Sequence, residues 1–527
     1  MYGLDALLWA VEQRLYVRRA SGVSSIPGLA GEGAPVTVAN SLPVGRRTFL
    51  RCAVGAAFGL AACAKGRAQS AADVLVRVGY EDAGQEIAPD FTGLSYESAI
   101  LAPGDYFAPN NASVVGLIRL LGASGVVRIG GNTSADALWR AAAAPARAKP
   151  AATGTFVITP ASIDRLAATM RMLSWKVIYG LDLARSTPED MAEQAAYVAR
   201  ALGTQLLAFQ IGNEPDGFGR WSALRPKTYD VAAYLAEWRK AHAAIRARVP
   251  DARFAGPDVA GTTDWVAALA ETKPEGLVLL TLHYYADGPA GAPHVSLAKL
   301  LRSGANIVPT LEALARDSRT FGLPYRIAEA NSIFNEGQPG VSDTLGAALW
   351  GAELMFQVAA AGGAGVNFHA GIHNRDASRD KAYTPIARAS QGRHRAAPLY
   401  YGMLMFAQAA RGVLIPARVT SSSSDLAAFA VRAHDGTLRL CLINKDAARA
   451  VRVTVDAGRN FGAASVMRLI GPAIDAKTGI TLGGASVDEL GGWTPAASEP
   501  LHPINRAIVI DVPAGSAAVV STSDRAG

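Results

Sequence analysis

Cysteine is scarce in this 527-residue chain: there are three, and Cys52 and Cys63 fall within the first 70 residues. Without that segment only Cys441 remains, so an intramolecular disulfide scaffold is excluded. Long apolar runs are lacking too. The run 52–64 has 13 residues, short of the ~20 that a membrane-spanning helix needs. Charged residues make up 18% and aromatics 7%, yet 50% of the chain is hydrophobic, which excludes a disordered or fibrous protein. No Gly-x-Ser-x-Gly elbow, Walker loop or Gly-x-Gly-x-x-Gly after a strand is present, which removes the common serine-hydrolase and nucleotide-binding signatures. An acidic excess is absent as well. The formal charge is +7, but residues 1–70 hold eight basic and three acidic side chains, leaving 43 basic and 41 acidic for the other 457. A near-neutral body gives no global field for binding polyanions.

The basic excess belongs to an N-terminal address. Arg46-Arg47 precedes the short run 52–64 of mostly small residues and resembles a bacterial twin-arginine signal, so export to the periplasm or medium is expected. Leu60-Ala61-Ala62-Cys63 resembles a lipobox, which would anchor the protein to a membrane through Cys63, whereas Ala68-Gln69-Ser70 offers an ordinary cleavage site. The 45 residues ahead of the arginine pair are long for such a signal, and an upstream start codon is the expected reason.

From residue 90 onward, apolar runs at 91–97, 125–131, 176–183, 206–215, 252–260, 276–285, 325–331 and 365–371 alternate with amphipathic helical stretches. Eight such units predict an α/β fold, a (β/α)8 TIM barrel. One helix shows its ends directly: Thr187 as N-cap, Pro188 in the first turn, Asp190 closing a capping box and Gly203 beyond the end. Past about residue 410 the period changes to strands without helices, with Asp435-Gly436 as a hairpin turn, and predicts a C-terminal antiparallel β-sandwich. The expected organisation is an extension and signal over 1–70, a strand within 71–89 that joins the sandwich, a barrel over 90–408 and the sandwich over 409–527.

Barrel enzymes place their chemistry at the carboxyl ends of the strands. Gln210-Ile211-Gly212-Asn213-Glu214-Pro215-Asp216 closes the fourth run, and Tyr325-Arg326-Ile327-Ala328-Glu329-Ala330-Asn331 ends the seventh. Strands four and seven face each other across the barrel, so Glu214 and Glu329 can straddle one bond. Glycoside hydrolysis needs such a pair, one protonated acid and one ionised carboxylate. His369 and His373 lie four apart after the eighth strand without a partner cluster, so no metal or other cofactor is expected. Trp139, Trp175, Trp221, Trp265 and Trp350 are read mostly as core, with a sugar-stacking platform among them as the alternative.

These motifs resemble clan A glycoside hydrolases. More narrowly, Leu94-Ser95-Tyr96-Glu97, Val127-Arg128-Ile129-Gly130-Gly131-Asn132-Thr133, Leu282-His283-Tyr284-Tyr285 and Glu329-Ala330-Asn331-Ser332 are similar to glycoside hydrolase family 79, the β-glucuronidase and heparanase group, from about residue 72 to the end. The resemblance implies a retaining, exo-acting β-glycosidase for β-glucuronides, with Glu214 as acid/base and Glu329 as nucleophile. It further implies that Asn213, Glu97, Tyr284, Tyr285, Phe334 and Tyr383 contact the sugar, Tyr285 also orienting Glu329, and that Arg128 and His283 support the nucleophile. Where the family has a Tyr-Gly-Gly-like stretch for the uronate carboxylate, this chain reads Phe334-Asn335-Glu336-Gly337. Arg375, Arg379 and Lys381 are nearby cations in a loop expected to be solvated. A neutral glycone, or a non-catalytic surface carbohydrate-binding protein, is the alternative; nucleic acid is not an expected partner.

Overall fold

The structure, a computed structural model, describes residues 72–524 apart from 103–104, 141–155, 373–378, 421–424, 497 and 504–506. The export segment with Cys63, and likewise His373 and Arg375, lie outside the described residues. Eight strands rich in apolar residues suit a parallel sheet covered by helices on its outer face. They are β1 (Thr92–Glu97), β2 (Val126–Gly130), β3 (Lys176–Leu181), β4 (Leu206–Ile211), β5 (Phe254–Val259), β6 (Leu277–Asp287), β7 (Tyr325–Ile333) and β8 (Val366–Ala370). Each pairs in parallel with the next, β8 pairs with β1, and the barrel is closed. A helix follows each strand, from Ala112–Leu121 after β1 to Pro398–Ala409 after β8. The eight apolar runs therefore fall on the eight barrel strands.

Helix ends follow local chemistry. In helix Pro188–Leu202 the Thr187 hydroxyl accepts from the Asp190 N–H at 3.1 Å, and Gly203 lies past the last turn. The expected capping box takes a different form, because the Asp190 carboxylate accepts from the Thr187 hydroxyl itself at 2.8 Å.

Side chains alternate between the two faces of each strand, and the inward set is layered. Near the amino ends Val126, Ile178, Ala208, Ala255 and Leu279 form a small apolar cluster. There Arg326 is buried and donates to Asn367 Oδ1 at 2.6 Å and to the main-chain carbonyls of Asp90, Phe91 and Ala364, joining β7 and β8 to the segment that enters β1. Towards the carboxyl ends the interior turns polar, with Ser95, Arg128, Gln210, Thr281 and His369 all buried. The register shifts at several places around the barrel, and two of these shifts lie towards the carboxyl ends. Asp258 is an extra residue in β5, since Thr281 pairs with Pro257 and Leu282 with Val259. In β7, Leu282 pairs with Ile327 but His283 with Glu329, so Ala328 is extra there. Such bulges re-aim side chains, and both lie at the barrel mouth.

The sandwich has two sheets. In the smaller, Ala72–Val78 lies between Ala417–Val419 and Val451–Asp456, with Ala507–Val512 outermost. The N-terminal strand thus pairs back into the sandwich, in parallel with Val451–Asp456. The larger sheet centres on Leu426–Arg432, Leu438–Asn444, Ser516–Asp524 and Phe461–Ile470. It differs from the alternating strands expected, because Leu438–Asn444 is buried almost throughout. One face packs on the smaller sheet, and the other joins the barrel's own core through Cys441, Ile443 and Val519. Phe356 of helix Leu345–Ala360 stacks on Phe429 with ring centroids 4.8 Å apart, and Lys445 reaches Glu353 of the same helix at 2.7 Å. Substituting Phe356→Ala removes a fully buried ring at this seam. It should cost about 3–5 kcal/mol in chemical denaturation, read as a lower midpoint with the slope unchanged.

Candidate active site

The barrel mouth is organised around one buried cation. Arg128, in the middle of β2, cannot leave its guanidinium unpaired in the interior, and its N–H groups meet acceptors on five sides. Nε donates to Gln210 Oε1 at 3.0 Å, Nη1 to Glu329 Oε2 at 2.8 Å and Ser95 Oγ at 3.3 Å, and Nη2 to Asn213 Oδ1 at 2.7 Å and to Asp258 Oδ2. Room for the group comes from Gly130, where a Cβ would stand 2.4 Å from the Arg128 Cζ. The next residue, Gly131 (φ 71°), leaves space for Glu97 in the same way.

Glu214 and Glu329 come together as the sequence implied. Glu329 Oε1 accepts from the Tyr285 hydroxyl at 2.8 Å, and Oε2 faces Arg128 and, at 3.3 Å, His369 Nδ1. Burial alone would raise its pKa, but His369, His283 and Arg128 hold it below the usual carboxylate value. Glu214 sits in a left-handed conformation (φ 47°) after Gly212, a strained geometry for a residue with a side chain. The turn is pinned to β5: the Glu214 N–H donates to the Asp258 carbonyl at 2.9 Å, and the Asp216 carboxylate accepts from the Ala260 N–H and the Thr262 hydroxyl. Burial raises the Glu214 pKa, opposed by the hydrogen bond and charge of His283 and assisted by Glu329 and Asp216. The side chain of Glu214 is 14% exposed against 8% for Glu329, so Glu214 is the more open of the two carboxyl groups.

The remaining expected residues divide. Asn213 is in place, held by Arg128 and donating to Asn132 Oδ1 at 3.3 Å. Tyr285, Phe334 and Tyr383 form an aromatic group, with the Tyr285 ring 6.4 Å from Phe334 and 6.1 Å from Tyr383. Tyr284 is not brought to the site. Strand alternation turns it to the other face of β6, where it packs against the main core and burial and the Glu353 charge raise its pKa. Glu97 is engaged below the surface: Oε2 accepts from the Thr133 N–H and hydroxyl, both at 2.9 Å, and Oε1 from Lys381 Nζ at 3.0 Å. These bonds support His369, and the Glu97 side chain is as little exposed as that of Glu329. Lys381 is correspondingly buried and donates to His369 Nε2 at 2.7 Å, unlike the solvated cation expected, while Arg379 is exposed. His283, expected to support the nucleophile, lies nearer Glu214, with Nδ1 3.0 Å from its Oε1 and 4.0 Å from Glu329 Oε1.

Asp258, His369 and Gln210 complete the network and were not singled out as site residues. Asp258 is fully buried, and although burial opposes it, Arg128 and His283 hold its pKa at about 2. Gln210 bridges Arg128, Asp258 Oδ1 and Thr281. Oxygens of Glu214 and Glu329 and a nitrogen of His283 lie within 4.8 Å of one another, a span that could suit a cation. Arg128 and His283 already supply positive charge there. Beside Glu214 opens a cleft of about 310 Å³, bounded by Asn132, Asp182, Asn213, Phe218 and Trp221, with Glu329 outside its lining. Of the tryptophans, Trp221 lines this cleft, whereas Trp175, Trp265 and Trp350 are core and Trp139 packs beside Tyr197.

One oxygen of Glu214 and one of Glu329 lie within 4.8 Å of each other, a close approach of the kind retaining glycosidases need, whose carboxyl groups stand about 5–5.5 Å apart. No family model matches the chain. Among curated proteins it is 28% identical over 548 residues to a β-glucuronidase of Aspergillus niger, covering 90% of this chain and 99% of that protein. A β-glucuronidase of Neurospora crassa is also 28% identical, over 55% of this chain and 56% of its own length. The resemblance to glycoside hydrolase family 79 holds. Among solved structures, a 4-O-α-L-rhamnosyl-β-D-glucuronidase from Fusarium oxysporum matches 85% of the chain and all of its own at 18% identity and a TM-score of 0.69. A family 51 arabinofuranosidase from Xanthomonas axonopodis matches 86% of the chain and all of its own at 16% and 0.63. These two show the shared fold.

Two outcomes follow for a chain resembling family 79. If Glu329 acts ionised and Glu214 protonated, as the resemblance implies, kcat/KM against pH should be bell-shaped, rising below the ordinary glutamate value and falling above it; a profile flat between pH 4 and 8 would contradict those roles. Gly130→Ala should displace Arg128 and lower kcat/KM by at least about 10²-fold, read by steady-state kinetics on protein whose circular dichroism is unchanged.

Proposed function

We propose that the protein is a retaining, exo-acting β-glycosidase that hydrolyses β-glucuronides. The observation that carries this reading is the Glu214–Glu329 pair within 4.8 Å, held in opposite protonation preference. Glu329 attacks the anomeric carbon while Glu214 protonates the leaving oxygen, giving a covalent glycosyl ester. Glu214 then takes a proton from the water that hydrolyses it. Asn213, fixed by Arg128, is placed to hydrogen-bond the sugar 2-hydroxyl as positive charge develops on the ring. The cleft beyond Glu214 lies on the side where a protonated leaving group stands.

The glucuronide preference is supported by the relatives' names and by the loop after β7. Asn335 (φ 62°), Glu336 (φ 73°) and Gly337 (φ 81°) are left-handed in succession, an uncommon and strained conformation of the kind found at ligand clamps. The Ala382 N–H donates to the Glu336 carbonyl, which ties this loop to Tyr383. One observation favours a neutral sugar instead: the Glu336 charge acts on the Tyr383 hydroxyl, so a carboxylate stands beside the residue implied to bind the uronate.

Export by the twin-arginine segment, to the periplasm or medium, with Cys63 as a conditional lipid anchor, is the location that goes with this reading. Mass spectrometry of the mature N-terminus separates a chain starting at lipidated Cys63 from one cleaved near Ser70.

A panel of 4-nitrophenyl β-glycosides tests the substrate. Turnover of the glucuronide at least about tenfold faster than of the glucoside, galactoside or xyloside is expected, and Glu329→Gln should remove at least about 10⁴-fold of it. Turnover of neutral glycosides alone would assign the neutral glycone, and glycan binding with no turnover would assign a binding protein.

A further inference from the structure

The double displacement names two carboxylates, yet a third ionisable group stands between them. His283 Nδ1 lies 3.0 Å from Glu214 Oε1 and 4.0 Å from Glu329 Oε1, and Nε2 lies 3.1 Å from Asp258 Oδ1. Both ring nitrogens therefore face carboxylate oxygens. Arg128 Nη2 approaches Nε2 at 3.5 Å from β2, and Asp216 adds a negative charge from the Glu214 turn. The ring is seated by two strand irregularities, the Asp258 bulge of β5 and the offset at Leu282–His283 against β7. Asp258 is itself left-handed (φ 64°), and its carbonyl also receives the Glu214 N–H. One residue thus holds Glu214 through its backbone and, by way of His283, through its side chain.

We infer that His283, seated by Asp258, is a positioning residue for Glu214: it donates to Oε1 throughout the cycle, confines the catalytic proton to Oε2, and stabilises the negative charge that appears on Glu214 when Glu329 loses its own. This rests on the glycosidase reading above. In the first step an oxygen of Glu329 bonds to the anomeric carbon, the bond to the aglycone oxygen breaks, and the Glu214 proton passes to that oxygen. Carboxylate charge has then left Glu329 and appeared on Glu214. In the second step the water oxygen bonds to the anomeric carbon, its proton returns to Glu214 and the ester bond to Glu329 breaks. A cation 3.0 Å from one group and 4.0 Å from the other favours the charge on Glu214, so it makes Glu214 a better acid in the first step and a weaker base in the second. A proton on Oε1 would collide with the His283 N–H, which leaves Oε2 to face the leaving group. Burial would depress the His283 pKa, but Asp258, Glu329 and Glu214 hold it at about 10, so the ring remains charged across the working range.

His283→Gln keeps an N–H near Glu214 and removes the charge. The alkaline limb of kcat/KM should move up by about 1–2 pH units. Hydrolysis of alkyl glycosides, whose leaving oxygen needs a proton, should fall about 10²-fold, and that of dinitrophenyl glycosides less than about fivefold. An unmoved limb with equal loss on both substrates would reduce His283 to packing and overturn the inference. Histidine 15N chemical shifts of the wild-type protein give a reading that does not depend on a variant's activity. A ring still charged at pH 8.5, and lost from the spectrum of His283→Gln or shifted in Asp258→Asn, is expected; one titrating near 6.5, the ordinary histidine value, would overturn it. A wild-type chain that hydrolyses no glycoside overturns the glycosidase reading as well, whereas an active enzyme with a neutral His283 overturns this inference alone.

Discussion

A guanidinium buried at the centre of a barrel has to be solvated by protein. Stripping an arginine of water carries a cost of several kcal/mol that only well-aligned acceptors offset, and Arg128 finds them on β1, β4, β5, β7 and the turn after β4. Glu329, Asn213 and Asp258 are thus fixed by their service to one cation. Charge follows the same logic. Arg128 faces Asp258 and Glu329, Lys381 faces Glu97, and His283 stands between Asp258 and Glu214, so each buried cation meets at least one carboxylate. Burial is what raises the Glu214 pKa, against the pull of His283.

Much of this was legible in the chain because barrel strands advertise themselves by composition, and because strand-end carboxylates flanked by Gly and Pro are uncommon. Glu214 stood out in that way and Glu329 by its matching place at the end of the seventh run, whereas Asn213 and Tyr285 came from the family resemblance; residues 72–78 were read as a lone strand that joins the sandwich. Asp258 did not stand out, since it lies inside an apolar run and reaches the interior only because β5 carries an extra residue there. Period-two reasoning has no means of foreseeing a bulge. Tyr284 failed for the complementary reason: motif likeness put it beside Tyr285, while strand alternation sends neighbours to opposite faces. Lys381 looked solvated because its loop is polar, and the carboxylate that buries it, Glu97, is 284 residues away in the chain.

The larger sandwich sheet shows a similar limit. Its strands are covered on both sides, by the smaller sheet and by the barrel helices, so Leu438–Asn444 reads as a nearly continuous apolar run. A strand of that kind does not announce which side faces which partner. The Lys445–Glu353 pair and the Phe356–Phe429 stack mark the seam where the second covering takes place.

The position of Ala72–Val78 also bears on how the chain becomes a protein. This strand leads into the barrel but is an inner member of a sheet whose other strands begin at residue 417. During synthesis it emerges first and has to wait, unpaired, for more than three hundred residues, a long-range closure of the kind that slows folding. Once formed, the sheet grips both ends of the barrel as a clasp does a bracelet, so neither end can fray by itself, and opening the barrel from its ends requires undoing the sandwich.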